Sequence, residues 1–188
     1  MSLTTKRALA DSFKKLLAKR SLDKITVKDI VEGCGVNRQT FYYHFHDVYD
    51  LMEWTFQDEI EELMKEKVNY EDWLSGIKSL IEYLKEDRAL VLNIYHSVSH
   101  ELISNYLKRL MHPYVHQVVV AQAKKMEQPA AEADIGFVTD IYTLTAAGII
   151  MEWISQQMKA NGTEERLHKL YVAMDGSIQF MLRNLSEA

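Results

Sequence analysis

The sequence predicts an all-α protein of about nine helices, with a helix-turn-helix domain at residues 1–46 and a helical bundle at residues 47–188. Apolar residues recur at helical spacing along most of the chain, whereas strand-like alternation is scarce. Only 2 Pro and 7 Gly interrupt the 188 residues, and the 47% of apolar residues can form a substantial core. We therefore expect helices packed on helices, with the smaller domain first.

Near the N-terminus, three short helices are predicted, of which the last two form a helix-turn-helix. The first covers residues 5–19 and is amphipathic. Thr26 is a suitable N-cap for the second, which places its apolar residues on one buried face. Gly35 can adopt the left-handed conformation that ends a helix, and Asn37 can cap a third helix of about two turns.

The third helix presents hydrogen-bonding side chains to solvent. Phe41 and Phe45 lie four residues apart and face inward, so Gln39 and Tyr43 point outward. Arg and Gln can bond base edges in pairs, whereas Tyr, Thr and His suit phosphate oxygens. The face contains no acidic residue and consists of Arg38, Gln39, Thr40, Tyr42, Tyr43 and His44. It predicts DNA contact; the alternative is that the adjacent tyrosines pack against another domain.

The charge distribution favours a nucleic-acid partner for the N-terminal domain. The chain has a net charge of −5, but residues 1–46 hold nine Lys or Arg against four Asp or Glu, which is +5, and the remainder is −10. A basic module can neutralise phosphates and release their counterions, and an acidic remainder would be repelled from the duplex. Further candidates for DNA contact are Thr5 and Lys6, at the start of the first helix, and the two cap residues Thr26 and Asn37.

Six longer helices are predicted in the rest of the chain, at about 48–67, 71–85, 88–95, 100–125, 131–159 and 163–188. Asp47, Asn69 and Thr163 are the expected caps of the first, second and last of them. Helical phase continues through Pro113, so this proline is expected to kink its helix without ending it. Pro129 is expected in the first turn of the helix that follows it, and the last helix is expected to carry one continuous apolar stripe.

A kink at Pro113 can open space between helices of the larger domain, which predicts a ligand pocket there. The side chains assigned to this pocket are Trp73, Tyr95, His96, His100, Tyr106 and Tyr114. The alternative is that these aromatic residues are ordinary core and that the histidines are solvated.

Catalysis and metal binding are not expected. A Ser/His/Asp arrangement, a phosphate-binding loop and a dinucleotide glycine pattern are absent from the sequence. His96 with His100 and His112 with His116 have the i, i+4 spacing that can hold a metal on one helix face, but no acidic or thiolate ligand is obviously paired with them. We therefore predict no metal, no cofactor and no enzymatic activity.

A soluble, cytoplasmic protein is expected. The single Cys34 excludes an internal disulfide and falls on a predicted buried face. The longest run of small or apolar residues, from Leu144 to Met151, is far shorter than the ~20 residues of a membrane span, and no leader sequence is expected before the first helix.

The last two helices predict a homodimer, because the first of them is apolar on nearly every side and must be covered twice. One side can pack in its own domain and the other in a four-helix interface with a twofold partner. The residues assigned to this interface are Ile141, Leu144, Ala147, Gly148, Met151, Leu170, Met174, Ile178 and Met181. The alternative is a large monomeric bundle.

Residues 5–52 resemble the DNA-binding domain of TetR-family transcriptional regulators, in the segments ITVKDIV, GVNRQTFYYHF and DVYDL. The resemblance implies that Thr40 and Tyr42 bind phosphates and that Lys28 reaches the groove from the second helix. It also implies that three residues contact bases, namely Arg38, Gln39 and Tyr43. Val48 departs from the family pattern, since many members carry a phosphate-binding lysine there.

The segments TFYYHF, LMEWTF and GIIMEWI also resemble the subgroup of dihydroxyacetone-kinase operon regulators. The expected function is a transcriptional regulator that binds an inverted-repeat double-stranded DNA operator as a dimer, under control of a small-molecule or protein effector. Two alternatives are a transcriptional activator controlled by a protein partner and a helical adaptor that does not bind DNA.

Overall fold

The structure, a computed structural model, describes residues 3–64, 73–159 and 162–187. In these ranges it contains nine α-helices, one short 3-10 helix and no strand, which confirms the predicted fold class. The N-terminal helices are α1 (Leu3–Leu17), α2 (Val27–Cys34), α3 (Arg38–His44) and α4 (Val48–Met64), with the 3-10 helix Leu22–Lys24 after α1. The others are α5 (Trp73–Glu86), α6 (Arg88–Ser97), α7 (His100–Ala123), α8 (Glu132–Ser155) and α9 (Thr163–Ser186).

The helix-turn-helix formed by α2 and α3 is fixed by the caps that the sequence predicts. The Thr26 hydroxyl accepts a hydrogen bond from the Asp29 amide at 3.3 Å, and the Asp29 carboxylate accepts one from the Thr26 amide at 3.0 Å. The Thr26 hydroxyl also donates to the Asp29 carboxylate at 2.6 Å, and this bond and the one from the Thr26 amide lower the pKa of Asp29. Gly35 ends α2 with φ of 72°, and the Asn37 side chain accepts from the Thr40 amide at 2.7 Å.

A close approach of α1 and α2 holds this motif against the first helix. The buried Ser12 hydroxyl donates to the Ile30 carbonyl at 2.7 Å. A Cβ atom on Gly33 would lie only 2.2 Å from the Ser12 oxygen. The absence of a side chain at Gly33 therefore sets the distance between α1 and α2.

We expect Gly33→Ala to lower the free energy of unfolding by about 1–3 kcal/mol, because the new methyl group forces Ser12 or the helix pair to shift. Chemical denaturation measures this change. In Gly136→Ala, the matched control, the added Cβ meets nothing within 4 Å, and the change should stabilise α8 by up to about 1 kcal/mol. Equal effects of the two substitutions would contradict the close approach.

Two apolar clusters make up the core. The first joins α1 to the N-terminal half of α4 and includes Phe13, Phe41, Leu51 and Phe56. The second lies among α5, α7, α8 and α9, and α4 contributes Ile60 to it. Because α4 packs in both clusters, its position links the helix-turn-helix to the larger bundle.

Two helix starts differ from the prediction. Pro129 lies in the loop before α8, whose N-cap is Ala131, so the expected place of the proline in the first turn is wrong. Gly162, with φ of 77°, is the N-cap of α9, and Thr163 is its first residue and is buried. Asn69 lies outside the described residues. Asp47 caps α4 as predicted, because its carboxylate accepts hydrogen bonds from the amides of Tyr49 at 2.8 Å and Asp50 at 2.9 Å.

The backbone of α9 is interrupted, which corrects the predicted continuous stripe. Asp175 (φ −67°, ψ 120°) and Gly176 (φ 80°, ψ −37°) leave the helical region. The side-chain amide of the buried Gln122, on α7, donates to the Asp175 carboxylate at 3.0 Å and accepts from Gln179 at 3.0 Å. These bonds hold α9 in two segments that meet at an angle, while α7 continues through Pro113 as predicted.

Among the described helices, α8 alone has the length and apolar composition of a membrane span. In its most apolar window, 44% of the residues are buried by the rest of the chain, and core helices of soluble proteins pass the same test. An apolar composition on nearly every side of α8 fits a helix that packs against other helices on two sides.

Candidate nucleic-acid interface

The exposed face of α3 has the orientation that helical geometry predicts. Phe41 and Phe45 are 0% and 3% exposed and anchor the helix in the first core. Tyr42 and Tyr43 are 59% and 82% exposed, and Arg38 is also at the surface. So large an exposed area on two adjacent tyrosines is typical of a contact surface. Both rings leave most of their surface open to solvent in the described residues, so they are available to a ligand or to another domain.

Neighbouring rings and the cap restrict the side chains of α3. The Tyr42 ring meets Phe41 edge-on at 5.5 Å between centroids, and the Tyr43 ring meets His44 edge-on at 4.9 Å. The Thr40 hydroxyl donates to the Asn37 side chain at 2.9 Å. Asn37 therefore positions the first turn of α3, and the ring contacts restrict the two tyrosine side chains.

The start of α1 lies against the junction of α3 and α4. The Lys6 ammonium group lies 5.3 Å from the Phe45 ring centroid and 5.2 Å from that of Trp54. Thr5 is half-buried at the same end of α1, and Lys28, on α2, is exposed with its ammonium 3.8 Å from Glu32. The rings hold one cation beside the recognition helix α3, which suits contact with a phosphate.

Tyr49 is a candidate contact that the sequence interpretation missed. It is 42% exposed in the first turn of α4, five residues after the end of α3. The phenol can donate a hydrogen bond to a phosphate oxygen. The cap residue Asp47 marked this turn in the sequence. Val48, where many family members carry lysine, is half-buried against the first core.

Family models match both parts of the chain. Residues 9–53 match the model described as bacterial regulatory proteins, tetR family, and residues 71–175 match the model described as transcriptional regulator C-terminal region. The second match alone covers more than half of the chain. The protein belongs to the TetR family of transcriptional regulators, as its sequence motifs and all-α fold indicate.

Individual relatives include a regulator of the subgroup that the sequence motifs resemble. The HTH-type dhaKLM operon transcriptional activator DhaS of Lactococcus lactis subsp. lactis (strain IL1403) is 30% identical over 94 residues, which span half of each chain. A solved structure of the dihydroxyacetone kinase operon activator DhaS matches with a TM-score of 0.63 at 22% identity, over 97% of this chain and 98% of that one. The family repressor AlkX from Dietzia sp. strain DQ12-45-1b matches with a TM-score of 0.54 at 18% identity, over 94% and 97%. The predicted resemblance to DhaS is confirmed, and the structural matches show the shared fold.

The C-terminal bundle contains an apolar cavity of about 70 Å³. Helices α4 to α8 surround it, and its wall includes Phe56, Val91, Tyr95, Tyr106 and Leu107. This volume holds only a few non-hydrogen atoms and is smaller than most ligand pockets. A larger ligand would have to move the surrounding helices.

The other residues assigned to a pocket lie elsewhere. His96 and His100 are exposed, and the His100 ring stacks on Tyr95 at 4.6 Å between centroids. Tyr114 is half-buried and is not in the cavity wall. The side chain of Trp73 lies outside the described residues. Of the residues assigned to the pocket whose side chains are described, Tyr95 and Tyr106 line the cavity. The two histidines do not, because they face solvent.

The Tyr106 hydroxyl is a polar atom in the apolar wall. It is buried and has no hydrogen-bond partner among the described residues. Burial, and next the negative charge of Glu53, raise the pKa of Tyr106, so the phenol is neutral. An occupant with a hydrogen-bond acceptor would satisfy this group.

We expect Tyr106→Phe to raise the free energy of unfolding by about 1 kcal/mol, because it removes an unsatisfied buried hydroxyl and keeps the ring. Tyr142→Phe is the matched control, since the Tyr142 hydroxyl is 2.6 Å from that of Ser177 and its loss should destabilise the protein. Thermal and urea denaturation measure both. Destabilisation by Tyr106→Phe would show that the hydroxyl is satisfied in solution.

Both α8 and α9 expose large apolar side chains. Phe137, Leu144 and Val172 are each 55% exposed, and Phe180 is 64% exposed. On α8, residues 137, 141, 144, 148 and 151 share one helix face. We call one set of exposed and half-buried apolar or small residues of α8 and α9 the apolar face; they are residues 137, 141, 144, 148, 151, 170, 172, 180 and 181. Burial of one Phe or Leu side chain by a partner would contribute about 1.5–3 kcal/mol.

The predicted interface residues divide between this face and the core. Ala147, Met174 and Ile178 are 3%, 1% and 0% exposed within the subunit, so a partner cannot cover them. The apolar face omits these three because their own bundle already buries them. Leu144 and Gly148 are exposed, and the half-buried members are Ile141, Met151, Leu170 and Met181. The prediction did not include the exposed Phe137, Val172 and Phe180, although helical spacing from Leu144 indicates the first of them.

Proposed function

We propose that this TetR-family regulator binds an inverted-repeat operator as a homodimer through α3 and changes its DNA affinity when an effector acts on the C-terminal bundle. The acid-free exposed face of α3 is the observation that carries the proposal. We assign base contacts to Arg38, Gln39 and Tyr43, because paired donors and acceptors discriminate base edges. Phosphate contacts are assigned to Thr40, Tyr42, Tyr49, Lys6 and Lys28. Because the proposed target is DNA, we expect the protein to act in the cytoplasm.

The dimer is supported by the apolar face and by the shortness of α3. A seven-residue helix contacts only a few base pairs, which is too few for useful specificity. Two copies related by a twofold axis read two half-sites roughly 34–36 Å apart or a multiple of this distance. We propose that the apolar face joins the subunits, that residues 1–46 together with Tyr49 bind DNA, and that the rest of residues 47–188 carries regulation.

An effector that widens the apolar cavity would shift the dimer between states that bind DNA and states that do not. The cavity favours a small, largely apolar molecule with one acceptor for Tyr106, whereas a protein partner would act from outside the bundle. DhaS is a transcriptional activator and AlkX a repressor. The greater sequence identity to DhaS favours activation here.

The DNA-binding proposal predicts tight, salt-sensitive binding to DNA upstream of the protein's own gene or neighbouring genes. Each phosphate that a cation neutralises contributes about 0.9 to the slope of log affinity against log salt concentration, so we expect a steep decrease. Fluorescence anisotropy over 50–200 mM salt measures the slope, with a shuffled duplex as control. Binding that does not depend on salt, or equal affinity for the shuffled duplex, would contradict sequence-specific binding. A reporter fusion then distinguishes activation from repression.

A further inference from the structure

Asn93 attaches the middle of α6 to the DNA-binding part of the chain. Its amide nitrogen donates to the carbonyls of Leu17 at 2.7 Å and Arg20 at 2.9 Å. Its side-chain oxygen accepts from the Leu22 amide at 3.3 Å and from the Ser97 hydroxyl at 3.2 Å. The last carbonyls of a helix lack partners within the helix. Asn93 therefore supplies, from a distant helix, the cap that the end of α1 needs.

The same helix forms part of the cavity wall. Val91, Ile94 and Tyr95 line the cavity, and they immediately flank Asn93 along α6. Leu90, one turn earlier, is 7% exposed and packs in the first core with α1. One helix of ten residues therefore contacts the cavity on one side and the DNA-binding part on another.

The N-terminal end of α6 is anchored to the larger bundle. The Arg88 guanidinium donates twice to the Gln157 carbonyl, at 3.1 and 2.8 Å, just after the end of α8. This fork restricts rotation at the first residue of α6. Asn93 follows five residues later, about 7.5 Å along the helix axis. A push from the cavity would thus turn α6 about Arg88 and displace Asn93.

We propose that Asn93 is a positioning residue that transmits the state of the cavity to α1, and through α1 to α3. The proposal deepens the proposed function and rests on it, because it gives the effector a defined route to the DNA-binding helices. This route is independent of the covalent continuity of α3 and α4. An occupant that widens the cavity moves Asn93 relative to the bundle and changes the direction of α1.

A second polar contact keeps α1 docked when Asn93 is changed. The Lys14 ammonium lies 3.0 Å from the Glu59 carboxylate and 3.2 Å from that of Asp87. Burial lowers the pKa of Lys14, but the hydrogen bonds and charges of these carboxylates outweigh it and raise the pKa above its usual value. Tyr83, in the cavity wall, donates a hydrogen bond to Glu59. Removal of the Asn93 side chain should therefore loosen the end of α1 without unfolding the domain.

A double-mutant cycle tests the route with a cavity-filling substitution in place of an effector. Leu107→Phe, on α7, enlarges a buried wall residue without altering α6. We expect it to change the affinity of the full-length protein for the upstream duplex by about 5-fold or more, a typical allosteric coupling. The same substitution should change affinity less than 2-fold in an Asn93→Ala background. In the control background Asn184→Ala, an exposed site on α9, the full change should persist.

Equal effects of Leu107→Phe with and without the Asn93 side chain would overturn the proposal, as would a Leu107→Phe variant with unchanged affinity. Amide hydrogen exchange supplies a readout without DNA. We expect Leu107→Phe and Asn93→Ala to speed exchange at Leu22, while amides of α8 remain protected. Unchanged exchange at Leu22 in Leu107→Phe overturns this inference alone, whereas a wild-type protein that binds no duplex overturns the proposed function.

Discussion

Phe180→Glu is expected to convert the proposed dimer into monomers and to lower operator affinity by about 100-fold or more, the usual loss when two linked binding events become separate. Phe180 is the most exposed apolar side chain of α8 and α9, at 64%. A twofold interface contains each residue twice, so two carboxylates would be buried without partners. Light scattering at micromolar concentration measures the mass, and anisotropy measures the affinity.

Two further variants make this result specific. Leu144→Glu places the same charge on α8 and should have the same effect, because Leu144 lies on the same apolar face. Gln117→Glu adds a carboxylate at an exposed site on α7 and should leave a dimer with normal affinity. A Phe180→Glu protein that remains dimeric with wild-type DNA affinity would show that the subunits associate through another surface.

Arg38→Ala should weaken operator binding by about 10- to 100-fold for each half-site, since a bidentate contact to a guanine edge contributes about 1–3 kcal/mol of discrimination. Arg38 is exposed in the first turn of α3, and its guanidinium forms no ion pair with a described residue. The loss should appear with the operator and be much smaller with a shuffled duplex, because non-specific binding depends on phosphates. Competition anisotropy with both duplexes separates the two terms.

Arg183→Ala is the matched control, since it removes one positive charge from an exposed site near the end of α9. It should change the affinity less than Arg38→Ala and preserve the preference for the operator. If the two arginine variants lost affinity equally for both duplexes, the effect would be one of net charge. The assignment of Arg38 to a base edge would then be wrong.

Short-range chemistry explains why the helix-turn-helix could be predicted from the sequence. Thr26 and Asn37 cap helices through amides three residues away, and Gly35 adopts the left-handed conformation by itself. Phe41 and Phe45 fix the inward face of α3 because their spacing matches one helical turn. These features need no information from distant parts of the chain. The family comparison confirms the motif that they predict.

Long-range contacts decide the features that could not be predicted. Periodicity placed Met174 and Ile178 on an apolar stripe, but it does not distinguish burial in the same subunit from burial by a partner. The break at Gly176 depends on Gln122, a residue of another helix. The Asn93 side chain donates hydrogen bonds to carbonyls more than 70 positions away in the sequence, so the residues next to Asn93 do not indicate its role. The cavity likewise arises from five helices, and aromatic spacing alone identified only two of its wall residues.

The break in α9 has a consequence for operator architecture. Val172 lies before the break and Phe180 after it, so the angle at Gly176 sets the inclination of the two parts of the apolar face. In the proposed dimer, that inclination would set the angle between the two subunits, and hence the distance between their two copies of α3. A relative with an uninterrupted last helix would lean differently and would prefer another number of base pairs between half-sites. If the proposed dimer forms, the backbone geometry at Gly176 would therefore help to set the spacer length of the operator, although it lies far from the DNA.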